Sequence, residues 1–295
     1  MSIELVKKFA PYTDEVFKAE SKTSLLTNSD FDWTGAHSVS VWKISTVPLQ
    51  NYARNRSAAD YSDPDSVASI SRYGEIIDLD AQTEEMLLKN DRSFIFNVDR
   101  LDADETAGQL EAGKALTREL REVVVPEVDK YVYGVMVEKA GTVAEPANAV
   151  GWSAYTAIAK GNEALDDAEV PETDRVIVVT PATYRSLKEC PDVYLDCDIA
   201  QEMRMKGVVA MIDGCAVVKV PAARLPKNFG FMIAHPSATV APVKLEDYGT
   251  HTDTPLSSGT IVTGRICYDA FVLDNKKMGI YYQPLIESET GTTGE

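Results

Sequence analysis

The most regular hydrophobic pattern in the chain lies between residues 102 and 139. Apolar residues recur there mostly at three- and four-residue steps, which places them on one face of a helix. These positions are Ala103, Ala107, Leu110, Leu116, Leu120, Val124, Val128, Tyr131 and Val135. Asp102 followed by Glu105 fits a capping box at the start, and Gly141 fits a stop. A continuous helix would be about 57 Å long, more than the width of an ordinary small domain.

A proline interrupts this pattern near its middle. An interior proline removes one backbone hydrogen bond and clashes with the preceding turn, at a cost of roughly 3 kcal/mol. We therefore predict a bend between Val123 and Pro126, with Pro126 as its candidate cause, or else two separate helices.

The chain before this helix does not have the pattern of a self-contained core. Residues 1–36 carry few apolar positions and are predicted to form an arm that lies on another part of the protein or on a neighbour. Residues 37–48 are rich in β-formers, and a long polar stretch follows before the chain returns through strand-like segments. The range 37–91 therefore predicts an extended two-stranded finger, which needs a partner because isolated hairpins are marginal in water.

Beyond Gly141 the pattern is that of a compact unit with mixed helices and strands. Residues 154–170 predict a helix, 175–181 a buried strand, and 182–190 a second helix. Later strands surround a type I′ turn at Asp213-Gly214, a break at His235-Pro236, and a terminal hairpin joined across Asp274–Lys277. The predicted fold class is α+β.

Composition and charge exclude several classes of protein. With 295 residues and 44% hydrophobic composition the chain can bury a substantial core. It has neither a run of 18 apolar residues nor the apolar segment of a signal peptide, so we expect cytoplasmic synthesis and no membrane partner. The net charge of -17 argues against tight nucleic-acid binding, which requires clustered basic residues. Four cysteines without CxxC spacing and three scattered histidines suggest reduced, mostly buried thiols and no zinc site.

No motif for catalysis, cofactor binding or metal binding is found in the sequence. Phosphate-binding glycine loops, nucleophile elbows, zinc-protease motifs and kinase signatures are absent. We interpret Asp99, Asp102 and Asp104 as helix-capping residues, and we interpret His235 as structural. Tyr281 and Tyr282 are predicted to belong to the core. The prediction is that the chain has no catalytic, cofactor or metal residues and is not an enzyme.

Several blocks of the sequence resemble a known family of phage proteins. The blocks are SRYGEIIDLDAQTEEMLLKNDRSFIFNVDRLDADET, LREVVVPEVDKY, GFMIAHPSATVAPVKLEDY and GRICYDAFVLDNKKMGIYY. They resemble the tailed-bacteriophage major capsid proteins whose fold is named for Hong Kong phage 97. The resemblance implies the following ranges: an N-terminal arm (1–36), an E-loop (37–91), a P-domain with a spine helix (92–141), an A-domain (142–258), C-terminal strands returning to the P-domain (259–284) and a polar tail (285–295).

The same resemblance implies self-assembly without an active site. The expected product is an icosahedral shell of hexamers and pentamers that encloses double-stranded DNA without reading its sequence, assembled in the bacterial cytoplasm and found in the virion. Expected partners are other copies of the chain, a portal protein and decoration proteins, with a separate scaffolding protein or none because the arm begins almost at Met1. Arg54, Arg56 and Arg72 are candidate contacts with acidic surfaces of neighbouring subunits. A covalent crosslink is not assigned.

Two alternative functions stay open from the sequence. An encapsulin-type compartment shell shares the fold but encloses protein cargo. An α/β enzyme would need a polar cleft with a nucleophile, a metal or a phosphate motif, none of which is found in the sequence.

Overall fold

The computed structural model describes residues 21–28, 30–31, 38–52, 54, 72–73, 77–79, 81–101, 112–148, 153–190, 208–252 and 258–286. The chain divides into two compact units. One comprises Gly35–Leu87, and the other comprises Met1–Thr34 with Leu88–Glu295.

The smaller unit, Gly35–Leu87, contains the predicted two-stranded finger. Strand β1 (Ser38–Ile44) pairs antiparallel with β2 (Ala81–Leu87), from Ser38 opposite Leu87 to Ile44 opposite Ala81. The prediction of a two-stranded ribbon is confirmed for these strands, and "the finger" denotes this unit below.

The long helix of the larger unit has three consecutive parts. Helix α1 (Ala112–Glu119) leads into a π-helical segment (Leu120–Val124), and α2 (Val125–Glu138) follows without a break. The alternative of two separate helices is therefore wrong for residues 112–138. The N–H of Val125 bonds to the carbonyl of Leu120, five residues back, which is the hydrogen bond of a π-helix.

Arg100 and Leu101, just before the predicted cap, have helical backbone. Asp99 Oδ1 accepts a hydrogen bond from the N–H of Leu101 at 2.8 Å, so Asp99 occupies the capping position, as its interpretation required. The predicted capping residues Asp102 and Glu105 lie outside the described residues.

A seven-stranded sheet forms the centre of the larger unit. Its strand order is β4-β14-β9-β6-β8-β7, and β5 pairs with the far end of β14. The strands are β4 (Thr142–Val143), β5 (Ala147–Asn148), β6 (Val176–Val179), β7 (Val208–Ile212), β8 (Cys215–Lys219), β9 (Phe229–Ala234) and β14 (Ile280–Ile286). Strand β6 runs parallel to β8 and antiparallel to β9.

Both faces of this sheet are covered, which is why β6 is a continuous apolar run rather than an alternating one. Val176 and Val178 point into a core that contains Val132, Tyr133 and Met136 of α2. The alternate residues of β6, Ile177 and Val179, point into a second core beneath helices α3 (Ala154–Asp167) and α4 (Pro181–Glu189). The predicted buried strand and both helices are confirmed.

A second sheet has three antiparallel strands with β12 in the middle. They are β3 (Asn90–Asp99), β11 (Val243–His251) and β12 (Gly259–Tyr268). Two short strands also pair antiparallel: β10 (Thr239–Val240), which precedes β11 in the chain, and β13 (Phe271–Val272), which follows β12. The predicted ranges 142–258 and 259–284 each contribute strands to both larger sheets, so the sheets are not divided at residue 258.

The predicted terminal hairpin is wrong. Strands β12 and β14 exist, but β12 pairs with β3 and β11 whereas β14 joins the seven-stranded sheet. The chain is redirected between them by β13 and by a six-residue 3-10 helix, Asp274–Gly279. Residues 280–283 are all buried, which suits an interior strand of a sheet covered on both faces.

Other local predictions are confirmed. Asp213 and Gly214 have φ values of 48° and 75°, as a type I′ turn requires. Tyr281 and Tyr282 are core residues, and their rings pack against Phe231 and Phe229. Cys190, Cys215 and Cys267 are free thiols, but only Cys215 is fully buried, so the expectation of mostly buried thiols holds for one of these three.

Candidate functional site

The finger exposes large apolar side chains on one of its faces. Trp42 and Ile44 are 69% and 64% exposed, and they point to the same side of β1. On the other side, Lys43 forms a 3.1 Å ion pair with Glu84 of β2. A ribbon of two strands with an exposed apolar face is marginally stable in water, and such faces commonly mark interaction sites.

An aromatic contact brings the two arms of the finger together farther from the strands. The rings of Tyr52 and Tyr73 are 5.0 Å apart in an edge-to-face arrangement, and both side chains are exposed. Arg54 follows Tyr52 by two residues and Arg72 precedes Tyr73, so the contact places two of the three predicted arginines on neighbouring segments. The third, Arg56, lies outside the described residues.

The end of the N-terminal arm is anchored on the larger unit. Leu26 is fully buried in the core beside α2. The N–H of Asn28 donates to the carbonyl of Thr239 at 2.7 Å. Ser21 Oγ donates at 2.6 Å to Asp129 of α2, which also accepts from Arg224. These contacts hold residues 21–28 against the core of the larger unit.

An apolar pocket of about 200 Å³ lies between the π-helical segment and the three-stranded sheet. Val123, which is exposed, and Val124 line it from the helix, and Phe94 and Ile266 line it from the sheet. The ring of Phe94 lies over Gly264, where a Cβ would overlap it. Pro126 follows this segment by two residues, so the departure from α-helical geometry overlaps the range 123–126 of the predicted bend. The bend itself stays a prediction.

A second pocket, of about 450 Å³, has a predominantly acidic lining. It lies at the C-terminal end of α3 and beside the Asp213-Gly214 turn. Its charged residues are Glu163, Asp166, Asp167, Glu172, Arg175 and Asp213, and Asn162 also lines it. The sequence offered no signal for this pocket, because its acidic side chains come from three separated segments.

Burial affects the titratable side chains of His235 and Cys215. His235 Nδ1 accepts the N–H of Ser237 at 3.2 Å and so caps the 3-10 turn Pro236–Ala238, which confirms the structural interpretation. Burial lowers the pKa of His235, since the charged imidazolium loses hydration there. Burial likewise raises the pKa of the Cys215 thiol.

Within the described ranges, no three His, Cys, Asp or Glu side chains are close enough to hold a metal ion. None of the helices seen there has the length and apolar character needed to span a membrane.

No protein-family model matches the sequence, and no curated protein matches it either. Solved structures do match over nearly the whole chain. A structure from Mycobacterium phage Che8 is 20% identical, with 95% of this chain and 96% of that chain covered and a TM-score of 0.69. The capsid structure of cyanophage P-SCSP1u is 12% identical, with 96% and 93% covered and a TM-score of 0.71.

The mature capsid of bacteriophage PhiM1 is 10% identical, with 97% of this chain and 93% of that chain covered and a TM-score of 0.67. The chain has the phage capsid fold. The α+β tailed-phage major capsid fold predicted from the sequence is therefore confirmed. Identities of this size establish the fold alone.

Within this capsid fold, sequence reasoning located the finger and the long helix. It missed the Tyr52–Tyr73 contact and the Ser21–Asp129–Arg224 network. Both join residues far apart in the chain, and local patterns carry no information about such pairs.

Proposed function

We propose that the chain is the major capsid protein of a tailed bacteriophage, which self-assembles into the hexamers and pentamers of an icosahedral shell enclosing double-stranded DNA. The observation that carries this proposal is the match to phage capsid structures over 96–97% of the chain. A fold shared over such a span accounts for the arm, the finger and the two sheets together, so the proposed role is structural and not enzymatic.

The finger supports assembly on independent physical grounds. Trp42 and Ile44 leave an apolar face in water that a neighbouring subunit would bury. Obligate interfaces between subunits are commonly larger than ~2,000 Å² and more apolar than transient ones. We infer that the finger becomes stably ordered against a neighbouring copy.

The domain ranges stay part of the proposal. Residues 1–36 would be the arm, 37–91 the E-loop, and 92–141 the P-domain with its spine helix. Residues 142–258 would form the A-domain, with 259–284 returning to the P-domain and 285–295 as a polar tail. The finger observed as a separate compact unit, Gly35–Leu87, supports the second of these ranges.

The net charge of the chain supports a shell that encloses DNA without binding it tightly. At a net charge of -17 the shell would repel the phosphates of packaged DNA, so enclosure would require no sequence-specific contact. Arg54, Arg56 and Arg72 would instead contact acidic surfaces of neighbouring subunits. A portal protein and scaffolding or decoration proteins are the further proposed partners, with assembly in the bacterial cytoplasm and residence in the virion.

Electron microscopy and sedimentation of the purified full chain test this function. Closed shells, or hexamers at high protein concentration, are expected. A strictly monomeric species at high concentration, with and without a candidate scaffolding protein, would overturn the proposal.

A further inference from the structure

Two lysine side chains share one aromatic ring at an end of the seven-stranded sheet. Tyr184 belongs to α4, and the Nζ atoms of Lys188 and Lys219 lie 5.1 and 5.6 Å from the centre of its ring. Lys188 is on the same helix, whereas Lys219 is the last residue of β8 and pairs with Val179 at the end of β6. The ring attracts each cation, but it does not neutralise either charge.

The end of the N-terminal arm brings a third lysine to the same place. Lys22 Nζ donates to the carbonyl oxygen of Lys219 at 2.9 Å. Burial, followed by the positive charges of Lys219 and Arg224, lowers the pKa of Lys22. Lys22, Lys188 and Lys219 with the ring of Tyr184 are called the lysine patch below. The patch is complete only when the arm lies on the larger unit, because the arm supplies Lys22.

The two outer lysines of the patch carry uncompensated charge. Among the described residues, no carboxylate forms an ion pair with Lys188 or Lys219, and both side chains are exposed. The neighbouring basic residue of α4 differs, because Arg185 pairs with Glu189 at 3.8 Å. The lysine patch is therefore a local excess of positive charge on a chain whose net charge is -17.

This local excess of lysine charge fits phosphate groups better than carboxylates. An ammonium group is a compact point charge that binds phosphate oxygens, whereas paired carboxylate oxygens are best matched by the planar fork of arginine. A DNA duplex carries one negative charge per about 1.7 Å of its axis, so more than one phosphate can reach the three lysines at once. Contacts with phosphate carry no information about the base sequence.

We propose that the lysine patch contacts the phosphate backbone of the double-stranded DNA that the shell encloses. This inference rests on the proposed function, which supplies the DNA. The acidic remainder of the chain repels DNA, but at about 0.1 M salt its field is screened beyond roughly 10 Å, so the charges at the contact decide binding there. Each patch neutralises about three phosphates at most, so a single contact is weak and many copies of the chain act together.

Binding of a fluorescent DNA duplex to the full-length chain, measured by anisotropy, tests this contact. The logarithm of the binding constant should fall with the logarithm of the salt concentration with a slope of about -2.7, the value for three neutralised phosphates. Lys188→Gln with Lys219→Gln should weaken binding at least about tenfold at about 50 mM salt and should reduce the slope by about 1.8. Lys188→Arg with Lys219→Arg keeps both charges and should retain the affinity within about threefold.

Lys276→Gln is the matched control. Lys276 is also exposed, but its charge acts on His235, which follows β9 at the opposite end of the seven-stranded sheet from Lys219. This variant should bind the duplex as the unmodified chain does, and thermal unfolding should show that every variant is folded.

The outcomes separate this inference from the proposed function. If the unmodified chain does not bind the duplex, or if the two glutamine substitutions leave binding unchanged, the contact is wrong. Polyglutamate that displaces the duplex at an equal concentration of negative charge would identify an acidic protein segment as the partner and would also overturn it. Electron microscopy of the same chain decides the function: shells without patch-dependent DNA binding leave the function standing, whereas the absence of shells means that the proposed function has failed.

Discussion

Arg224 donates a hydrogen bond from Nη1 to Oδ2 of Asp129 at 2.6 Å, and both side chains are almost completely buried, at 6% and 3% exposure. The pair joins the 3-10 turn Ala222–Arg224 to helix α2. Asp129 also accepts from Ser21 Oγ, so the same carboxylate holds the end of the N-terminal arm. A single buried ion pair thus connects the arm, the long helix and a loop of the seven-stranded sheet.

Removal of one partner of this pair should be strongly destabilising. Arg224→Ala leaves the Asp129 carboxylate buried without its counterion, and we expect a loss of about 3–5 kcal/mol in the free energy of unfolding. Chemical denaturation of the unassembled chain measures it. Arg185→Ala is the control, because its exposed pair with Glu189 should contribute less than about 0.5 kcal/mol. Equal losses in the two variants would contradict this role of burial.

Pro126 should be tolerated in the monomer because the preceding π-helical segment accommodates it. Pro126→Ala is expected to change the free energy of unfolding by less than about 1 kcal/mol, since the loss of a proline and the gain of a helix-former offset each other. Lys130→Pro, one turn later and exposed, should cost about 3 kcal/mol or more. In assembly, Pro126→Ala should alter particle diameter if the proline sets a bend. Particles of unchanged size would show that the helix tolerates Pro126 and that this proline does not set the particle diameter.

Two glycines of the larger unit should respond in opposite directions to the same substitution. Gly264→Ala places a Cβ into the ring of Phe94, and overpacking of this kind costs about 1–3 kcal/mol. Gly134→Ala meets nothing within contact distance on α2 and should stabilise by about 0.5–1 kcal/mol. Thermal unfolding compares them. Loss of stability in both variants would mean that the space at Gly134 is not available.

Lowering the pH should destabilise the larger unit, and part of this loss of stability should come from His235. Burial holds the folded-state pKa of His235 below its unfolded value, so the unfolded chain binds the proton more readily. This contribution is complete above about pH 6.5, the unfolded pKa, and is lost as pH falls below it. His235→Asn keeps a capping acceptor but does not titrate, so its Tm should drop less than that of the unmodified chain between pH 7.5 and 5. Identical drops would exclude the effect.

The apolar face of the finger should matter for assembly and not for the folding of the larger unit. Trp42→Ser with Ile44→Ser removes two exposed side chains, so we expect little change in thermal unfolding of the unassembled chain. Shell yield, measured by sedimentation, should fall at least about tenfold, because the face loses the two large apolar side chains that a neighbouring subunit would bury. Gln82→Ser, at an exposed residue of β2 on the opposite face of the ribbon, serves as the control. Normal shell yield from the double variant would show that this face is not an interface.

Features governed by neighbours in the chain could be predicted from the sequence. The apolar run Val176–Val179, the turn at Asp213-Gly214 and the long helical period depend on backbone preferences and on side chains a few residues apart. The resemblance to capsid proteins added the order of these elements along the chain. Together they were sufficient for the fold class and for the finger.

Features that depend on distant segments emerged only from tertiary packing. Asp129 and Arg224 are 95 residues apart, and nothing local marks either as the other's partner. Strand β14 has the pattern to pair with β12, but burial on both faces directs it to β9 in the other sheet. The acidic pocket likewise exists only because α3, the loop before β6 and the Asp213 turn converge. Local sequence specifies which elements form, whereas the burial of their faces against distant segments specifies which surfaces remain for a neighbouring subunit.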